Sequence, residues 1–294
     1  MSTFVEPDLT ERLLPAALEV PHCFNERPRA NVLGVGIDAV NMERALSIIA
    51  NRLVQGPKGY VCAVDVHAIL QALHRIEVAE AIADAAIALP DGAPTVWMAR
   101  LQGHKTVDHV TGPDIMRQVF SRPEFAGSSH FFYGGKPGVA DELAIGLQKQ
   151  FPRTKVAGTY TPPFRDLTDN EEIQLVARIN VLRPDIIWVG ISAPRQDLFM
   201  RRMLHRLDTR LMFGVGAAFD FLSGRVRECP RWVKHAGFHW LHRLVQEPGR
   251  LWRRNLGNAA FLWHIALQLT ALKAYPLRRV TEGEHTGQNF HSVR

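Results

Sequence analysis

Beginning near Asn31, short runs of β-branched and aromatic residues alternate with segments whose apolar positions recur every three to four residues. The runs predict strands over residues 32–37, 60–64, 86–89, 130–133, 155–159, 186–189 and 211–215. The helical periods predict helices over 42–53, 67–85, 95–101, 113–120, a segment opening near Pro137, 169–182 and 194–204. Pro113 suits the first turn of its helix, where its missing N–H has no partner to lose. Repeated βα units of this length imply an α/β fold, a Rossmann-like parallel sheet with helices on both faces.

After Phe221 the pattern changes. Residues 225–256 are rich in arginine and tryptophan, and 259–272 form an apolar stretch interrupted by His264 and Gln268. Fourteen residues are fewer than the roughly twenty that span a bilayer. The stretch predicts a helix lying on a membrane surface or packed on the core. The expected organisation is a loose lead-in over 1–30, a catalytic core over 31–224, a C-terminal helical basic appendage over 225–275 that docks on a membrane, and a polar disordered tail over 276–294. The first thirty residues carry Glu6, Asp8 and Glu11 and no continuous apolar run, so they do not read as a secretory signal.

With 294 residues, 46% of them hydrophobic, the chain can bury a full core, which excludes disordered and fibrous classes. Cys23, Cys62 and Cys229 are odd in number and far apart, which points to a reducing compartment rather than a disulfide framework. Residues 225–254 hold eight basic side chains and two acidic ones, enough to account for the whole net charge of +6. Such a concentration calls for an anionic partner: membrane lipid, a phosphorylated substrate or nucleic acid. No nucleic-acid motif accompanies it.

The candidate chemistry centres on Asp91. The apolar run 86–89 stops at Pro90, and Gly92 lets the chain turn, so the carboxylate is presented at the C-terminal edge of a strand. Ligands bind at that edge of a parallel sheet. Pro-Asp-Gly alone is also a common turn. Tyr133-Gly134-Gly135-Lys136-Pro137-Gly138 follows a strand and opens a helix, where small residues let backbone amides approach a phosphate. Ala193-Pro194-Arg195-Gln196 puts a cation and an amide at the same edge, with a helix cap as the plain alternative. Gly214-Val215-Gly216-Ala217-Ala218-Phe219-Asp220 lacks the third glycine of a dinucleotide fingerprint, so no nicotinamide cofactor is expected. His235, His239 and His242 fall at helical spacing but among cations, and are read as buried or interfacial rather than as metal ligands.

Taken together, the segments 88–92, 110–114, 133–138, 189–196, 214–220 and 240–248 resemble, in order, the WecG/TagA/CpsF glycosyltransferases, family 26. The resemblance covers about 32–256. It implies a metal-independent, inverting transfer of a sugar from a nucleotide donor, expected to be a UDP-sugar, to a polyprenyl-diphosphate-linked sugar. The setting it implies is the cytoplasmic face of the membrane, in surface-polysaccharide or teichoic-acid linkage synthesis. No cofactor is expected, and self-association through the core is implied. Asp91 matches the family's proposed general base and Gln196 a substrate-contacting glutamine. Arg243, Arg250 and Arg253 match arginines that meet the acceptor diphosphate, a role for which guanidinium forks are suited. A threonine and an asparagine usual after the second strand are Ala63 and Asp65 here, and an arginine usual before Val-Thr-Gly is His109. Asp65, His109, Tyr133, Gly134, Gly135 and Gln196 are therefore the expected donor-side residues. Asp65 and Asp91 are expected to share the sheet edge, with repulsion raising the proton affinity of one of them. A catalytically weak paralogue that only binds nucleotide sugar or glycolipid is the alternative.

Overall fold

The computed structural model describes residues 27–226 and 248–278. Strands β1 (Arg29–Val32) and β2 (Val35–Asp38) pair antiparallel as a hairpin. Strands β3 (Gly59–Val64), β4 (Ile87–Pro90), β5 (Ser129–Gly134), β6 (Lys155–Tyr160), β7 (Ile186–Gly190) and β8 (Leu211–Gly214) form a six-stranded sheet in the order β4-β3-β8-β7-β5-β6. Every pairing within it is parallel, as the alternating pattern implies.

Helices cover both faces. On one side α1 (Met42–Val54), α5 (Gly112–Ser121), α6 (Val139–Gln150) and α9 (Ala218–Leu222) pack over Val61, Phe132, Trp188 and Phe213. On the other, α2 (Val66–His74), α3 (Ile76–Ala83), α7 (Asp169–Leu182), α8 (Arg195–Met203) and α10 (Pro248–Leu269) pack over Tyr60, Cys62, Phe131, Val189 and Met212. Successive strand residues thus serve opposite layers, and the strands read as unbroken apolar runs because both layers are covered. The remaining helix, α4 (Ala93–Leu101), packs on the hairpin. Helix starts are fixed locally: Asn41 caps α1, and Thr168 with Glu171 forms a reciprocal capping box on α7.

Two elements differ from the sequence pattern. The single strand expected over 32–37 is a hairpin, because Leu33 and Gly34 both take positive φ (54° and 85°) as a two-residue turn. An apolar residue at the turn's first position hides it within a run of valines. The helix expected over 67–85 is divided at Arg75, which is extended (φ −130°, ψ 108°), so that α2 and α3 each turn an apolar face inward.

The hairpin seals the β4 edge of the sheet. Asp38 is fully buried; its Oδ2 accepts from Ala88 N at 2.7 Å, and its Oδ1 accepts from Arg27 Nε at 3.0 Å and Arg29 Nε at 3.2 Å. Residues 27–30, assigned by pattern to a loose lead-in, are therefore part of the folded core. The free edge of β1 is satisfied by two glutamines. Gln102, just after α4, exchanges two hydrogen bonds with the backbone of Asn31, while Gln268 of α10 donates to Asn31 O and accepts from Leu33 N.

Helix α10 belongs to the same packed unit. Phe261 and Ile265 are buried, and Gly257 lies so close to α2 that a Cβ there would sit 2.9 Å from Leu70 Cδ1. The opposite face leaves Leu262 and Trp263 each 64% exposed. One apolar face packs on the core, and a second faces outward. No helix among the described residues is long and apolar enough to cross a membrane. Past the helix, Tyr275 is buried with its hydroxyl 2.7 Å from His264 Nδ1, and Arg278 N donates to Gly34 O, so the chain is held beyond Pro276, where a disordered tail was expected to start.

Candidate active site

Strand β5 continues outward to β6, whereas its neighbour β7 continues the other way to β8. The C-terminal ends of β5 and β7 thus form the switch point of the sheet, where a crevice for ligands opens in folds of this kind. Gly134 and Gly190 meet there in register, and a Cβ on Gly134 would fall 2.5 Å from Gly190 O. A Cβ on Gly190 would fall 2.9 Å from the ring of Phe219. Gly135 N donates to Gly190 O at 3.1 Å, so that amide is engaged by protein rather than offered to a phosphate. The glycines therefore let two strand ends and α9 close together. Beyond them Gly138, left-handed at φ 82°, starts α6.

Asp91 lies where its sequence context puts it. Strands β3 and β4 pair with Val64 opposite Pro90, so Asp65 and Asp91 each follow the last registered pair, and Asp91 N donates to Val64 O at 3.2 Å. Gly92 turns the chain away at φ 116°. The Asp91 carboxylate is about a quarter exposed, and His109 Nε2 stands 3.8 Å from its Oδ1. The loop carrying His109 is anchored by Val110 N donating to Pro90 O. It is also fixed by Gly112, where a Cβ would lie 2.8 Å from Val215 O. Thr111 then caps α5 and donates to Asp114. The Val-Thr-Gly-Pro-Asp segment thus ties the ends of β4 and β8 together and delivers His109 to Asp91.

Other expected contact residues have structural partners. The Asp65 carboxylate accepts from Ala68 N at 2.8 Å, capping α2. Tyr133 is buried between near-parallel rings, 4.4 Å from Phe199 and 5.8 Å from Tyr160, and burial raises its hydroxyl pKa. Gln196 is 2% exposed, and its Oε1 accepts from Gly216 N at 3.0 Å, holding the β8–α9 turn. Of the arginines expected to meet acceptor diphosphate, Arg243 lies outside the described residues, while Arg250 and Arg253 fall in the first turns of α10. His235, His239 and His242 also lie outside. Arg225, counted in the basic segment, forms a two-pronged pair with Glu142 in the first turn of α6, so its charge is internally matched.

Sequence reasoning missed Asp197. It is 1% exposed, with its Oδ1 lacking a hydrogen-bond partner among the described residues. Burial lifts its pKa to about 7 and nearby Asp65 adds to the rise, opposed by hydrogen bonds with Cys62 and Gln196. Asp197 is thus an acid of raised proton affinity at this edge that the sequence pattern did not single out. A signal was present: Asp197, Met200 and Met203 recur at helical spacing, and both methionines are fully buried. Because the folded-state pKa lies above the ordinary carboxylate value, stability from the protonated form is complete below about pH 4 and lost as pH rises through about 7. Asp197→Asn does not titrate, so its stability relative to the parent should grow across that window and level off at ~4 kcal/mol by pH 8. Urea unfolding at pH 5 and pH 8 measures it, and a pH-independent difference would contradict it.

At this end of the sheet a partly exposed carboxylate has an imidazole beside it, and the Gly134–Gly190 contact lies three strands away, where β7 meets β5. The model of the Glycosyl transferase WecG/TagA/CpsF family matches residues 30–275, and the chain belongs to that family. Among curated relatives, one from Bacillus subtilis is 28% identical over 204 residues, covering 68% of this chain and 75% of that protein. Another, from Bacillus spizizenii, is 27% identical over 168 residues, 57% of this chain and 63% of its own length. Both carry the name N-acetylglucosaminyldiphosphoundecaprenol N-acetyl-beta-D-mannosaminyltransferase, a glycosyl transfer to a lipid-diphosphate-linked sugar.

Proposed function

We propose that this protein transfers a sugar from a nucleotide-sugar donor, a UDP-sugar, to a polyprenyl-diphosphate-linked sugar at the cytoplasmic face of a membrane. The observation that carries the reading is the Asp91 carboxylate, partly exposed at the edge of the sheet and paired with His109 3.8 Å away, in a chain of this family. Asp91 takes the proton of the acceptor hydroxyl as its oxygen bonds to the anomeric carbon. The bond from that carbon to the donor's phosphate oxygen breaks, and the electron pair leaves with the nucleotide diphosphate. A single displacement inverts the anomeric centre and needs one base, with no second carboxylate as nucleophile. On this reading the transfer requires no metal, and Arg243, Arg250 and Arg253 offset the acceptor's diphosphate charge. The outward apolar face of α10, with Trp263 and Leu262, suits a helix lying in the headgroup region, and anionic lipid would draw the basic segment toward it. Elongation of a lipid-linked acceptor from radiolabelled UDP-sugars tests the reading.

Charge reversal at Arg243, Arg250 and Arg253 together is expected to weaken flotation with anionic liposomes and to reduce acceptor use more than donor affinity. Removing the whole segment from Arg225 is a poorer test, because it would also strip Phe261, Ile265 and Gln268 from the core. Equal flotation and acceptor use in the reversed variant would contradict the assignment.

His109 stands beside Asp91 at this edge, and histidine is cationic only on the acid side of neutrality. Donor affinity is therefore expected to weaken from about pH 6 to about pH 8, and His109→Arg to abolish that dependence. Calorimetric donor titrations at the two pH values decide, and an unchanged profile in the variant would remove His109 from the donor site.

A further inference from the structure

At the end of the sheet opposite Asp91, where β5 and β6 begin, the last turns of α5 and α6 flank an open cavity of about 360 Å³. Phe120, Phe125 and Phe151 line it together with His130, Arg122 and Arg153. That volume is of the size small-molecule sites use, and such sites combine apolar walls with a few fixed polar groups.

His130 is the fixed polar group. It is 2% exposed, and burial holds its pKa down to about 3, so the ring is neutral. Trp188 Nε1 donates to His130 Nδ1 at 3.2 Å, which leaves the ring proton on Nε2. The ring is held against Phe120, with centroids 4.5 Å apart, and Phe151 lies 6.3 Å from Phe120. Among these groups Nε2–H is a donor of fixed position with aromatic faces beside it. The two arginines differ. Arg122 is paired with Glu43 and lies 3.6 Å from Glu124, so its charge is matched within the protein. Arg153 has no carboxylate partner among the described residues and is exposed beside the cavity.

We propose that this cavity binds a small planar-ring anion, whose ring lies on the phenylalanines, whose ring acceptor takes the hydrogen bond from His130 Nε2–H, and whose phosphate or carboxylate pairs with Arg153. A pyrimidine nucleotide and an aromatic acid both present this chemistry. Charge favours an anion because the unmatched group is a cation, and the ring is required because the deep wall is aromatic and its donor neutral. The proposal concerns the opposite end of the sheet from Asp91 and does not rest on the transferase reading.

The test uses the intact protein with ¹⁵N-labelled histidine, titrated separately with uridine 5′-monophosphate and with 4-hydroxybenzoate. At least one probe is expected to shift the His130 Nε2–H resonance saturably, and which one does so separates nucleotide from aromatic acid. Arg153→Glu, an exposed substitution that removes no internal contact, is expected to weaken that probe about tenfold or more, as loss of a charge-assisted contact does. In Asp91→Asn the His130 response is expected to be unchanged, which separates it from binding at the catalytic edge. No His130 shift with either probe at millimolar concentration, or equal affinity in Arg153→Glu, would overturn the proposal.

Discussion

Asp91→Asn is expected to leave folding and donor binding intact while lowering kcat about a hundredfold or more. The substitution preserves shape, and the features that position residue 91 lie in the backbone: its N–H on Val64 O and the turn at Gly92. The side chain loses its basicity and the charge that faces His109. A base that accepts the acceptor's proton in the transition state contributes to kcat rather than to ground-state binding, so KM for the donor should move little. The thermal midpoint serves as control and should stay close to that of the parent. Turnover near that of the parent would remove Asp91 from the mechanism, and a fall in donor affinity of similar size would make it a binding residue.

Asp38→Ala is expected to be the most destabilising substitution in the hairpin, at about 3–5 kcal/mol, the range found when one partner of a buried charge pair is removed. The carboxylate is fully buried and serves Arg27, Arg29 and Ala88 N at once. Arg52 lies in the same cluster. Its pKa is lowered to about 10 by burial and by Arg27, with Asp38 the opposing influence. Truncation therefore leaves several cations facing one another without their anion, and a buried strand N–H without its acceptor. Asp38→Asn keeps an acceptor for Ala88 and should lose less. Urea midpoints at constant m-value measure both, and a loss below about 1 kcal/mol for Asp38→Ala would show that water reaches the cluster.

Most of the sheet was legible in the sequence because parallel strands covered on both faces appear as apolar runs, and the helices between them keep their period. Asp91 was legible for a local reason: proline ends the strand and glycine turns the chain, so the carboxylate's position follows from three consecutive residues. The Leu33-Gly34 turn was not, since tertiary packing overrides what an apolar residue ordinarily prefers. The sealing of β4 by Asp38 was also hidden, because it joins residues far apart in sequence. The same limit applies around the site. Tyr133, Gly135 and Gln196 stand at the expected edge, yet their groups are engaged by protein, and only packing reveals that. Asp197 was passed over because an acid in a first helical turn is ordinarily read as a solvated favourable charge. Its face carries Met200 and Met203, and that spacing was the available warning.

The measurement that most directly tests the central claim is transfer itself. The intact protein is incubated with radiolabelled UDP-sugars, UDP-N-acetylmannosamine first, and a polyprenyl-diphosphate-linked N-acetylglucosamine in vesicles, and the lipid fraction is resolved for a longer glycolipid. The predicted result is a lipid-linked disaccharide with one of the donors, formed by the parent and nearly absent with Asp91→Asn. Donor binding without any elongated lipid, across UDP-glucose, UDP-N-acetylmannosamine and its uronic acid, would contradict the account.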